Sequence, residues 1–141
     1  MGAGEFAHLN GSLQDHLCGT EALLRSWAAP EHVCLAGLFH AAYGTAGFSD
    51  ALASIDLRSE VSSLIGQRAE HLVYLYCACD RQNFYPSIGS PSQDQLPDRF
   101  AGCLVKLDPD VLNDLCELTA ANELEIAKNS HSFREQHGVA L

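Results

Sequence analysis

A chain of 141 residues with 47% hydrophobic side chains can bury one core without staples, so a single domain over 1–141 is expected. Its 18 acidic residues against 8 basic give a formal net charge of −10; that repels phosphate backbones, no Lys or Arg stripe offsets it, and nucleic acid is not an expected partner. No apolar run approaches a bilayer span, and MGAGEFAHLNG carries neither a secretion signal nor, with Phe6 where Ser or Thr is wanted, a myristoylation motif; a cytoplasmic protein without membrane contact is expected.

Residues 1–10 read as a flexible entry, MGAGEF being a candidate cloning remnant. Ser12 is a good N-cap for a first helix that stops before Pro30. Leu13, His16, Leu17, Thr20, Leu23, Leu24 and Trp27 recur at intervals of three and four and define its inward stripe. A second helix runs from Glu31 to about Tyr43, where VCLAGLFHAAY has no charge and is apolar on every face, as suits a helix surrounded by protein. GTAGFSD breaks the pattern. RSEVSSLIG forms a moderate helix ended by Gly66, and Gln67 to about Cys79 the next, with Ala69, Leu72, Val73, Tyr76 and Cys77 inside.

Pro86, Pro91 and Pro97, amid Gly, Ser and Asn, make 80–106 a long surface loop. Within it FAGCLVKL has the composition of a strand but no evident partner. Asp108-Pro109 opens the last strong helix, which VLNDLCELTAANELEIAK continues for about five turns at 3.6 residues each. Residues 130–141, SHSFREQHGVAL, form a polar tail. The expected fold class is all-α: one compact bundle of about five main helices with a long proline-containing loop.

His16 and His40, 24 positions apart, are the most informative residues. Each is a polar ring on an apolar face, where burial costs free energy unless something binds it. Two readings stay open for them, core histidines satisfied by backbone or Tyr, and ligands. The other histidines read differently: His8 as an ordinary loop residue, His32, His131 and His137 as surface, His71 as boundary. Trp27 and Tyr43 read as core or pocket wall, and Tyr74, Tyr76 and Tyr85 have no stronger claim.

None of the six cysteines forms a C-x-x-C pair, and Cys77-Ala-Cys79 is spaced wrongly for zinc. Cys34, Cys77 and Cys116 fit apolar helical patterns as reduced thiols. Cys18 points about 200° away from His16 on its helix. Arg68 and Arg81, flanking one helix, are the candidates to meet a small anion, although solvated surface charge is the plainer reading.

The stretch DHLCGTEALLRSWAAPEHVCLAGLFHAAYGT resembles the first half of an HD domain, the all-α metal-dependent phosphohydrolase superfamily, and is most similar to the hydrolase domain of RelA/SpoT-type alarmone enzymes. RSEVSSLIGQRAEHLVYLY resembles the helices that follow, and His8 and Gly11 the His-x-x-Gly entry region. The chain is also similar to short HD-like proteins with His-x-x-Tyr-Gly-Thr variants. The resemblance implies that His16 and His40 are catalytic residues and ligands of one divalent metal, Mn, Fe or Zn, with water as nucleophile. Three departures stand out: Ala41 replaces the Asp of the His-Asp doublet, Gly44 and Thr45 replace a Glu-Asp pair, and Asn122 stands at the late Asp. Candidates for a third metal ligand are His8, Glu117 and Glu123, with Asn122 offering a neutral oxygen at the pocket.

Three functions are compatible with these residues. One is a small metal-assisted enzyme acting on a compact metabolite, alarmone hydrolysis itself not being expected. Another is a metal-free pocket binding a small molecule through His16 and His40, and the third a helical interaction module that forms a homodimer.

Overall fold

A computed structural model of the chain describes residues 3–45 and 51–129, with side chains over 13–45 and 51–128. Helix α1 spans Ala3–Ser26. It begins well before Ser12: no proline falls between Ala3 and Gly11, and Gly4, Asn10 and Gly11 weaken a helix without stopping one already propagating. Its end is local: Ser26 Oγ donates to the Leu23 carbonyl at 2.7 Å, and Ala28 turns the chain with φ 57°. The Pro30 carbonyl then accepts from the Val33 and Cys34 amides and starts α2, Glu31–Phe39.

Helix α2 stops earlier than its apolar pattern, which continues to Tyr43. The His40 ring turns back to the Gly37 carbonyl, and the Ala42 and Gly44 amides step to Phe39 and Ala41 as a tighter turn. The GTAGFSD break falls mostly on residues 46–50, outside the described residues. A short 3₁₀ turn, Ile55–Leu57, leads into α3, Arg58–Ile65, and after Gly66 into α4, Gln67–Ala78.

Residues 80–106 are not the structureless loop expected, and the fold is not purely all-α. They hold α5, Arg81–Phe84, a 3₁₀ turn at Tyr85–Ser87 and an antiparallel hairpin of β1, Gln95–Asp98, with β2, Cys103–Lys106. The strand missing for FAGCLVKL is thus QLPD. Pro97 disguises it, since proline demotes a segment as strand. The hairpin is moored to the end of α4 by Asp80 N–H to Pro97 O at 3.0 Å and Arg99 N–H to Ala78 O at 2.8 Å, and Leu96 enters the core fully buried.

Helix α6, Pro109–Asn129, packs across α1, α2 and α4. Leu24, Val33, Val73, Leu118 and Ala121 form the centre, all fully buried. Two glycines set how closely the helices meet. A Cβ at Gly37 would lie 2.5 Å from Leu24 Cδ1, so only hydrogen lets α2 approach α1 this closely; a Cβ at Gly19 would collide with the Glu125 carboxylate of α6. Among the described residues all six cysteines are free, with Cys34, Cys77 and Cys79 buried and Cys116 exposed rather than in the core. No described helix is long and apolar enough to cross a membrane.

Candidate functional site

The two close approaches bring three side chains from three helices to one point. His16 projects from the middle of α1, His40 from the end of α2, and Asn122 from α6. His16 Nε2 lies 3.2 Å from His40 Nε2 and 2.9 Å from Asn122 Oδ1, the two rings meeting edge to face. His40 is 2% exposed, and burial holds its pKa down at about 4, so the ring is neutral near pH 7. Its Nδ1–H donates to Gly37 O at 2.7 Å, which leaves a lone pair on Nε2. Asn122 Nδ2 donates to Glu123 at 3.4 Å, which turns Oδ1 toward the imidazoles.

Behind His16 stands Glu125, one oxygen 3.5 Å from Nδ1. A proton on that nitrogen faces the carboxylate, and Nε2 then has two states. Unprotonated, it converges as a third lone pair with His40 Nε2 and Asn122 Oδ1; protonated, it donates to both. The hollow therefore calls for either a cation or a proton.

The three groups lie on one side of a cavity of about 280 Å³. Leu13 and Ile126 supply apolar wall, and Ala41 stands there with no carboxylate to offer. On the remaining wall are Tyr76, whose ring meets His40 edge to face, and Arg81, whose guanidinium carbon lies 4.9 Å from the Tyr76 ring centre.

The other sequence-derived candidates lie elsewhere or serve other ends. Trp27 is 39% exposed and does not line the cavity. Tyr43 is buried, but its hydroxyl donates to Glu70 at 2.8 Å in a separate network. Glu123 is exposed, and Glu117 is half-buried outside the cavity lining. His8 falls on α1, with its side chain outside the described residues, as are His131 and His137. His32, expected on the surface, is half-buried and bonded to Asp114 at 2.6 Å, joining α2 to α6. Arg68 is exposed, whereas Arg81 faces the cavity. Glu125 was not singled out by the sequence reading; its signal is its place three residues after Asn122, on the same face of α6.

Among the described residues no group of three or more His, Cys, Asp or Glu side chains forms a metal cluster, the third donor here being an amide. No curated protein and no solved structure matches the chain. A family model described as a domain of unknown function, DUF6817, matches residues 1–81, which take in α1 to α4, both histidines and Arg81 but not Asn122. The chain belongs to that family, with α6 completing the histidine site from beyond the matched residues.

Proposed function

We propose that the chain is a small HD-like enzyme with an altered metal site, in which His16 Nε2, His40 Nε2 and Asn122 Oδ1 hold one divalent ion and the cavity takes a small metabolite for metal-assisted hydrolysis. The observation that carries this reading is the second shell. His40 Nδ1 is tied to a backbone carbonyl and His16 Nδ1 faces a carboxylate, the two arrangements that orient metal-binding imidazoles and leave Nε2 free for the ion. The three groups are close enough together that they would hold one ion, His16 Nε2 lying 3.2 Å from His40 Nε2 and 2.9 Å from Asn122 Oδ1. Such an ion supplies Lewis acidity and lowers the pKa of water near pH 7. Glu125 offsets part of its charge through His16, and Leu13 and Ile126 give the reacting bond an apolar surround.

A second reading rests on Asn122, whose amide brings no negative charge. In it His16 and His40 work without metal, His16 passing a proton to a bound ligand while His40 Nε2 accepts one. Elemental analysis of tag-free protein dialysed against Mn²⁺ or Zn²⁺ separates the two. About one ion per chain is expected, lost in both His16→Ala and His40→Ala while helical circular dichroism persists. Unchanged metal content in both variants rejects the ligand assignment, and metal-free wild-type protein leaves the proton-transfer reading.

A further inference from the structure

The cavity wall formed by Tyr76 and Arg81 carries two donors that no described residue answers. Arg25, Arg58 and Arg99 all donate to protein oxygens, although Arg25 and Arg99 are exposed and could turn to water instead. Arg81 is half-buried, yet among the described residues it makes no hydrogen bond or ion pair; its Nε is sealed from water without an acceptor. The Tyr76 hydroxyl beneath it is in the same condition, on a residue 2% exposed. Orphaned buried donors are rare and costly. Two of them on one cavity wall, with no described acidic residue placed against Arg81, mark a place kept for an outside acceptor.

Charge decides which acceptor. Arg81 is the one fixed cation among the described residues lining the cavity, and Glu125 lies behind His16. One positive charge balances a monoanion and leaves a dianion with an uncompensated charge. We infer that Arg81 and Tyr76 form a carboxylate-binding subsite, so that the ligand of this cavity is a small carboxylic acid whose anionic end is held on this wall while its other end faces His16 and His40. The substrate class rests on the cavity being the active site; the anion contact does not.

The test is an NMR titration of ¹⁵N-labelled, metal-stripped and desalted protein with acetate and, separately, inorganic phosphate at matched ionic strength. Acetate is expected to shift the Arg81 Nε–H resonance saturably and to bind at least about tenfold more tightly than phosphate. Arg81→Gln, in which the Nε–H reporter is gone and backbone amides around the cavity are followed instead, should abolish saturable acetate binding. Tyr76→Phe removes only an unpaired hydroxyl, so its thermal midpoint should match or exceed wild type while acetate binding weakens at least about threefold. No saturable shift with acetate, phosphate binding as tight as acetate, or unchanged acetate affinity in both variants overturns the proposal. The titration is run without metal, so its result stands whether or not His16 and His40 hold an ion, and metal uptake on the same samples tests that reading alone.

Discussion

Asn122 sets the charge of the site. Its Oδ1 sits 2.9 Å from His16 Nε2, where a carboxylate would add a full negative charge beside the two imidazoles. Cation affinity at oxygen sites follows the number of charged ligands. Asn122→Asp is therefore expected to tighten Mn²⁺ or Zn²⁺ binding at least about tenfold, roughly 1.4 kcal/mol, by isothermal titration calorimetry. Equal or weaker affinity in the variant would remove Asn122 from the ligand set. The two histidines were legible because a basic ring on an apolar stripe is costly and visible in sequence. Arg81 was legible only as one of two candidate anion contacts, and Glu125 and Gly19 were not legible at all. A Glu on a largely acidic helix looks like any solvated Glu until the packing of α6 on α1 turns it toward His16, and the candidate Arg81 gains its partner only once the chain lays it over Tyr76.

At the scale of elements, a buried polar network fastens α3 and α4 to the turn after α2. Glu70, 4% exposed, accepts from Arg58 Nε at 2.6 Å, Arg58 Nη2 at 2.9 Å and the Tyr43 hydroxyl at 2.8 Å. Burial by itself would raise the Glu70 carboxyl, but the bonds from Arg58 and Tyr43 outweigh it and hold the pKa below the ordinary value of 4.5. A carboxyl depressed by folding contributes stability above its unfolded pKa and loses it as pH falls through the folded one. Glu70→Gln should thus cost about 1–3 kcal/mol at pH 7, read from urea midpoints, and the gap to wild type should close as pH drops below 4.5. A gap that persists undiminished at pH 3 would mean that packing, not charge, is what the substitution removed. Helices α3 and α4 were readable from their periodicity and from Gly66 between them, and α2 from its uninterrupted apolar run, though not its end at Phe39. The hairpin was not readable because its first strand is four residues long and contains Pro97, so that its identity depends on the end of α4.

Across the whole molecule, site and core share one support. Helix α6 packs on α1, α2 and α4, and it carries Leu118, Ala121, Asn122 and Glu125 on its inner side, so the residues that complete the histidine site ride on the helix that closes the core. Leu118 is fully buried and lies four residues before Asn122, one helical turn away on the same face. Truncating it to alanine removes core contacts and leaves a cavity, for which about 2–5 kcal/mol of destabilisation is expected in urea unfolding. The same slackening of α6 should loosen Asn122 from His16 and weaken divalent-ion uptake even under conditions where the variant is folded. Leu124, 51% exposed on the opposite side of α6, is the control: its replacement by alanine should change stability by no more than about 0.5 kcal/mol and leave metal uptake unaltered. If Leu118→Ala keeps wild-type affinity for the ion despite its lost stability, the site is held by α1 and α2 alone, and the role assigned here to α6 fails.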